Sequence, residues 1–148
     1  MLVSSTGGHF AQLRQIADSM EMEFVVLTEK NETVKGLESS YKMNYLFQQD
    51  RKKKAFIFLF VMNILLTLKV FLRVNPKVII STGAGAVLPA LILGKLFKRK
   101  IIFIESFAKV TTPTVTGKIA YKFADKFYVQ WEEMKRHYPN AEYRGPIY

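Results

Sequence analysis

Short apolar runs alternate along the chain with longer segments in which apolar residues recur at helical spacing. The runs predict strands at 1–4, 24–27, 78–80, 101–104 and 127–129, with a weaker strand at 43–47. The helical spacing predicts five helices. The first begins near residue 8, and the others cover 51–74, about 86–97, 116–124 and 132–137. Asn75-Pro76 predicts the end of the long helix, because a residue before proline disfavours helical backbone.

The predicted strands are short and apolar on both faces, which is typical of a parallel sheet covered by helices. We therefore expect an α/β fold in one domain over residues 1–148. Ligands of such sheets bind at the carboxyl ends of the strands. Three loops are expected there: one at Gly7-Gly8-His9, one at 82–86, and one that opens with Glu105-Ser106.

The first loop places two glycines between a strand and a helix. Glycine lets the backbone approach a ligand closely, and the free N–H groups of a helix start suit an anion such as a diphosphate. The surrounding Ser5, Thr6 and His9 favour an anion site over the alternative, a plain tight turn. For His9 itself, a catalytic or ligand contact and a structural hydrogen bond both stay open.

The second loop, with Gly83 and Gly85, has the start of a dinucleotide-binding fingerprint. Leu88 stands where the third glycine would be, and the loop follows a middle strand rather than the first. We therefore expect this loop to line a ligand cleft, and we expect no cofactor.

Glu105 ends an apolar strand and is the first acidic residue after residues 51–104, which contain none. A carboxylate in that place can accept a hydroxyl proton or hydrogen-bond a sugar. The alternative is an acidic cap of a helix or loop. Its position at the carboxyl end of a strand favours a functional role.

Composition excludes several kinds of site. The chain has no cysteine, which excludes disulfides and thiol chemistry. Its only histidines are His9 and His137, so we expect no zinc site. Its three aspartates lie far apart, so the Asp-x-Asp clamp that holds a metal and a nucleotide diphosphate is absent.

The positive charge is concentrated in one block. The net charge is +10, and residues 51–104 contain 11 basic residues. Because this block is also the most apolar part of the chain, it favours a membrane surface over nucleic acid. Within it, 51–72 is expected to be a helix in the membrane interface, with a spanning helix and a buried core helix as alternatives. Its predicted membrane contacts are Arg51, Lys52, Lys53, Lys54, Phe56, Leu59 and Phe60.

Five motifs occur in an order and spacing that resemble a known family: Ser5 to His9, Gly83-Ala84-Gly85 with Pro89, Ile104-Glu105-Ser106, Val129-Gln130-Trp131 with Tyr138-Pro139, and Tyr143 to Ile147. Together they resemble the membrane-anchoring subunit of the two-piece UDP-N-acetylglucosamine transferase of dolichol-linked oligosaccharide synthesis. Bacterial relatives of that subunit act in capsular and exopolysaccharide assembly. More distantly, the chain is similar to the N-terminal half of the peptidoglycan N-acetylglucosamine transferase.

The resemblance implies a Rossmann-like sheet that corresponds to the N-terminal half of a glycosyltransferase B fold. That half would bind an undecaprenyl-diphosphate-linked sugar through Ser5, Thr6, Gly7, Gly8, Gly83 and Gly85, with His9 and Glu105 as catalytic candidates. A partner chain resembling the C-terminal half would bring the UDP-sugar and dock on Tyr143, Gly145, Ile147 and Tyr148. Transfer would need no metal, and the chain alone would be inactive or weakly active.

The family's eukaryotic members begin with a hydrophobic helix that this chain lacks. We therefore expect a bacterial protein attached peripherally to the cytoplasmic face of the plasma membrane through 51–72. A membrane scaffold that activates its partner and has no catalytic residue of its own is the alternative function. We expect no nucleic-acid partner.

Overall fold

The computed structural model describes residues 1–49 and 55–147. Its strands are β1 (Leu2–Ser4), β2 (Val25–Glu29), β3 (Lys42–Leu46), β4 (Val78–Gly83), β5 (Lys100–Ile104), β6 (Lys126–Val129) and β7 (Glu142–Tyr143). Its helices are α1 (Gly8–Asp18), α2 (Phe56–Val74), α3 (Leu88–Leu96) and α4 (Val115–Ala120). The described strands form one sheet in the order β3-β2-β1-β4-β5-β6-β7, and every neighbouring pair is parallel.

The predicted parallel α/β sheet is therefore confirmed, with differences at the ends of elements. α4 ends at Ala120 rather than residue 124, and the predicted last helix is a 3₁₀ turn, Glu132–Arg136. β7 is two residues long and was not predicted. The predicted end of the long helix is confirmed, since Asn75 adopts the left-handed conformation that commonly follows a helix.

Alternate strand residues face the two sides of the sheet. Leu2 and Val26 belong to the apolar cluster that α1 covers, whereas Val3 and Leu27 belong to the larger cluster under α2 and α3. Helices therefore cover both faces, which accounts for strands that are apolar on both sides.

α2 packs on the sheet through a face that combines the polar Asn63 and Thr67 with the apolar Val70 and Phe71. The side chains of Asn63 and Thr67 are fully buried. Asn63 bonds the backbone of Phe47 in both directions, at 2.7 and 2.8 Å, and the Thr67 hydroxyl donates to the Asn63 carbonyl at 2.6 Å. The opposite face of the helix is apolar and exposed, through Ile57, Phe58, Val61, Ile64, Leu65 and Leu72.

This arrangement changes which residues can contact a membrane. The predicted contacts Phe56, Leu59 and Phe60 are half-buried. The most exposed apolar side chains at the start of α2 are instead Ile57 and Phe58. The predicted basic contacts, residues 51–54, lie outside the described residues. By length and composition α2 is able to cross a membrane.

Candidate functional site

The candidate site lies where the strand order of the sheet reverses. β1 is bonded to β2 on one side and to β4 on the other, and Ser4 pairs with Gly83 at the carboxyl end. The loops that follow β1 and β4 therefore leave the sheet side by side. In open parallel sheets this switch point is where ligands bind. Two of the three predicted loops, with Ser5, Thr6, Gly7, Gly8, Gly83 and Gly85, are brought together there.

His9 joins these two loops. Its Nδ1 lies 2.8 Å from the carbonyl oxygen of Thr82, and the Thr82 hydroxyl donates to the carbonyl of His9 at 2.8 Å. Because a carbonyl only accepts hydrogen bonds, the neutral ring carries its proton on Nδ1. The lone pair of Nε2 is then available as an acceptor.

The backbone of both loops is shaped by positive φ angles. Gly7 has φ +72° and is exposed, and an added Cβ at Gly7 or Gly8 would meet no atom within 4 Å. Gly83 has φ +104°, and a Cβ there would lie 3.4 Å from the His9 ring. Ala84 adopts φ +76° although it is not glycine. Such strain in a non-glycine residue is found most often at functional sites.

Glu105 is the third predicted feature, and it is placed differently. It is 1% exposed at the end of β5. Its carboxylate accepts hydrogen bonds from the backbone of Ser106 at 2.8 Å, from the Thr114 backbone and hydroxyl, and from the Tyr138 hydroxyl at 2.8 Å. This geometry fits the alternative of an acidic loop cap, because it closes the loop between Ser106 and Thr114. It does not bring Glu105 to the open side of the site with His9.

The surroundings of Glu105 are correspondingly tight. An added Cβ at Gly117 would lie 2.1 Å from Glu105 Oε2 and 2.6 Å from the Tyr138 hydroxyl. Burial, and then the bond to Glu105, raise the pKa of Tyr138. Tyr138 therefore stays protonated as a donor to the carboxylate. The Glu105 carbonyl in turn accepts from Gln130 Nε2, which also bonds Gln12 of α1.

The sequence analysis missed a second buried acid, at the end of β2. Glu29 is 6% exposed, and its Oε1 accepts from the backbone of Gln49 at 2.8 Å. Burial raises its pKa, while hydrogen bonds from Gln49, Thr6 and Ser5, followed by the charge of His9, partly oppose that shift. The signal was weaker than that for Glu105, because Thr28 separates Glu29 from the apolar run that ends at Leu27.

The predicted partner segment begins in β7, the edge strand of the sheet, which β5 and β6 separate from the switch point. Tyr143 is exposed in the edge strand β7, and the Ile147 amide donates to Gln130 Oε1 at 3.0 Å. Gly145 follows Tyr143 with φ +87°. Tyr148 lies outside the described residues. Within 1–49 and 55–147, no group of three or more His, Asp or Glu side chains is arranged to hold a metal ion.

Comparison with known proteins agrees with this fold. The family model described as oligosaccharide biosynthesis protein Alg14 like matches residues 1–147. The UDP-N-acetylglucosamine transferase subunit ALG14 of Rattus norvegicus is 27% identical over 99% of this chain and 82% of its own length. The UDP-N-acetylglucosamine--N-acetylmuramyl-(pentapeptide) pyrophosphoryl-undecaprenol N-acetylglucosamine transferase of Caldicellulosiruptor saccharolyticus is 30% identical over 92% of this chain and 40% of its own length.

Among solved structures, Acinetobacter baumannii MurG is similar in fold, with a TM-score of 0.77 at 12% identity over 98% of this chain. The chain spans less than half of that structure, 45% of its length. The predicted glycosyltransferase-B-like fold is thereby confirmed. With a family model that matches from residue 1 to residue 147, the protein belongs to the Alg14-like family of oligosaccharide biosynthesis proteins.

Proposed function

We propose that this chain is the acceptor-side subunit of a split glycosyltransferase. It would bind a lipid-diphosphate-linked sugar at the switch point and recruit a partner that binds the UDP-sugar. The observation that carries the proposal is the meeting of two glycine loops and His9 at that point. The names of the relatives as transferase subunits support a partner that supplies the donor-binding half.

The diphosphate of the acceptor would bind at the start of α1. This helix has 11 residues, no acidic residue in its first turn, and an exposed glycine, Gly7, before it. Unpaired N–H groups and the helix dipole favour an anion at such a start.

His9 would act on the acceptor hydroxyl. The Thr82 carbonyl holds the ring so that Nε2 is the free nitrogen. It can take the hydroxyl proton as the hydroxyl oxygen bonds the anomeric carbon of the donor sugar and the bond from that carbon to UDP breaks, so that UDP leaves. Glu105 was predicted as the other catalytic candidate. Its burial supports a positioning role, in which it holds the loop from Ser106 to Thr114 in place.

The membrane would lie against the outward face of α2. Because the helix packs on the sheet through Asn63, Thr67, Val70 and Phe71, it lies along the domain rather than extending away from it. This supports a peripheral, interfacial attachment. The lipid tail of the acceptor would then enter the bilayer beside α2. The positive charges of Arg51, Lys52, Lys53 and Lys54 would attract anionic headgroups.

The cytoplasmic face, the bacterial origin and the undecaprenyl carrier rest on the resemblance alone and are part of the proposal, as is a role in capsular or exopolysaccharide assembly. Proteins from eukaryotes stand beside a bacterial enzyme among the relatives.

Reconstitution with a donor-binding subunit tests the proposal. Radiolabelled UDP-sugar and a lipid acceptor are supplied to the chain alone and to the pair. We expect turnover by the pair and little by the chain alone, since each half brings one substrate. His9→Asn keeps a donor for the Thr82 carbonyl and removes Nε2, so it should slow transfer by about 100-fold. Efficient turnover by the chain without a partner would refute the split enzyme.

A scaffold without catalytic residues is the second candidate, and the burial of Glu105 favours it because it takes one candidate base away from the open site. If His9→Ala and Glu105→Ala, once shown to be folded, both support the full rate with the partner, the scaffold function is correct.

The partner would dock at the C-terminal segment. Tyr143 and Pro146 are exposed in this segment, so Tyr143→Ser with Pro146→Ser should weaken co-purification with the partner. Val115→Ser, at another exposed apolar side chain, is the matched control. Unchanged complex formation by the double variant would place the interface elsewhere.

A further inference from the structure

We infer that a small polar cavity beside the glycine loops is the subsite for the sugar ring of the lipid-linked acceptor, with Glu29 accepting a hydrogen bond from a sugar hydroxyl and Gln49 donating one. This inference rests on the proposed function. The cavity has a volume of about 150 Å³ and lies between the ends of β1, β2 and β4 and the start of α2. It is lined by Ser5, Glu29, Gln49, Phe56 and 84–86.

The Glu29 carboxylate accepts hydrogen bonds from the protein and still has a free acceptor position. Its carboxylate accepts from Gln49 N at 2.8 Å and also interacts with the Ser5 side chain and the Thr6 backbone. An ionised carboxylate has about four acceptor positions. Three donors therefore leave room for one more, and the side chain lines the cavity.

Gln49 supplies the complementary group. Its Nε2 is buried and has no hydrogen-bond partner among the described residues. A buried donor without an acceptor is unfavourable, because it has lost its hydrogen bond to water. A sugar hydroxyl or an acetamido carbonyl oxygen in the cavity would accept that bond.

The negative charge of Glu29 favours the sugar over the diphosphate as the group that occupies the cavity. A carboxylate repels phosphate oxygens, so Glu29 disfavours a diphosphate inside the cavity and favours hydroxyl groups. The glycine loop at Gly7 and Gly8 lies on the neighbouring strand end and presents backbone N–H groups without an acidic side chain in the first turn of α1. A volume well under the roughly 300–1,000 Å³ of pockets that enclose a drug-sized ligand suits part of one ring rather than a long glycan.

The wall formed by Phe56 fits a ligand with a lipid tail. Phe56 is the first residue of α2, and the next residues, Ile57 and Phe58, are 73% and 66% exposed. A sugar in the cavity thus lies at the polar end of an apolar surface along which a prenyl chain can extend.

Binding of two probes tests the inference. One probe is a short-chain prenyl diphosphate carrying N-acetylglucosamine, and the other is the same prenyl diphosphate without sugar; binding to the full chain in detergent is measured calorimetrically. Glu29→Gln should weaken binding of the sugar probe about tenfold, which is a typical effect of a hydrogen bond to a charged group. It should not weaken binding of the sugar-free probe, because loss of the carboxylate charge only reduces its repulsion of a diphosphate.

Two further variants keep the result interpretable. Gln49→Ala removes the amide group but keeps the backbone N–H that Glu29 binds, and should weaken the sugar probe about threefold to tenfold. Glu23→Gln changes the same charge at an exposed position before the opposite end of β2, and should leave both affinities unchanged.

Each other outcome overturns the inference in a distinct way. Equal losses for both probes would mean that Glu29 only supports the glycine loop. Equal affinity of the wild-type chain for the two probes would remove the sugar subsite and leave the proposed function intact. Binding of neither probe by the wild-type chain would overturn the proposed function as well.

Discussion

Asn63 in the middle of α2 and Phe47 after β3 form a closed pair of hydrogen bonds: the Asn63 amide donates to the Phe47 carbonyl at 2.8 Å, and the Phe47 amide donates back at 2.7 Å. The side chain of Asn63 thus links α2 to the backbone that follows β3, an edge strand of the sheet. With Thr67 it lies on the face of the helix that turns inward.

Replacing Asn63 with leucine should therefore lower stability although it makes the helix more apolar. Loss of two hydrogen bonds, with backbone groups of Phe47 left unpaired, should cost about 2–3 kcal/mol in the free energy of unfolding. Denaturant unfolding in detergent measures it. Leu65→Ala on the outward face is the control and should cost under about 1 kcal/mol, because Leu65 is 54% exposed. Equal losses for both variants would contradict the inward role of Asn63.

The outward face of α2 should carry membrane binding. Ile57→Ser with Phe58→Ser should strongly reduce liposome binding, because these two are the most exposed apolar side chains of the helix. Replacing residues 51–54 with glutamine should weaken binding to anionic liposomes only, and most at low salt. The control is Met22→Ser, which changes an exposed apolar side chain far along the chain from α2. Retained binding by the Ile57 and Phe58 variant would show that another surface contacts the bilayer.

Gly117→Ala should be destabilising, against the usual rule for helices. Alanine normally replaces glycine in a helix with a gain of about 1 kcal/mol. Here the new Cβ would lie 2.1 Å from Glu105 Oε2, so the carboxylate and Tyr138 must move. We expect a loss above about 3 kcal/mol by thermal or denaturant unfolding. Gly8→Ala, where the added Cβ meets nothing within 4 Å, is the stability control; a stable Gly117→Ala protein would mean that Glu105 is less tightly enclosed.

The stability of Glu29→Gln should depend on pH. Burial raises the pKa of Glu29 in the folded chain, so its contribution to stability is fully present below the unfolded pKa of about 4.3 and is lost as pH rises through the folded pKa. The glutamine variant should therefore be more stable than wild type near pH 7, and the difference should disappear near pH 4. Thermal unfolding at both pH values measures this. A pH-independent difference would contradict the raised pKa.

The His9 ring should be a single tautomer, protonated on Nδ1, because its neighbour at 2.8 Å is the Thr82 carbonyl. Long-range proton–nitrogen NMR spectra of the neutral ring measure it. His137→Gln leaves His9 as the only histidine and makes the assignment direct. A proton on Nε2 would remove the acceptor that the proposed chemistry needs.

The sequence predicted that both glycine loops lie at the carboxyl edge of the sheet, because parallel strands share that edge. It did not predict that the two loops are neighbours, since this follows from the pairing of β1 with β4, which lie far apart in the chain. It missed Glu29 because the polar Thr28 follows the apolar run, which made the strand look finished at Leu27. The strand in fact continues to the acid.

The surroundings of Glu105 were not predictable in the same way. Its donors come from Thr114 and Tyr138, which lie 9 and 33 residues further along the chain in segments without periodicity. Only the folded loop shows that the carboxylate points inward. The inward face of α2 could not be predicted either. A narrow polar stripe can face the sheet or the solvent, and only the partner of Asn63, Phe47, shows that it faces the sheet.

The position of α2 in the chain has a practical consequence. The strands β1 to β3 form one half of the sheet and β4 to β7 the other, and in the described part of the chain α2 is the crossover between them. Deleting the apolar helix to obtain a soluble protein would therefore separate the two loops of the candidate site from each other. A soluble form has to be made by substituting the outward residues, such as Ile57 and Leu65, while Asn63 is retained.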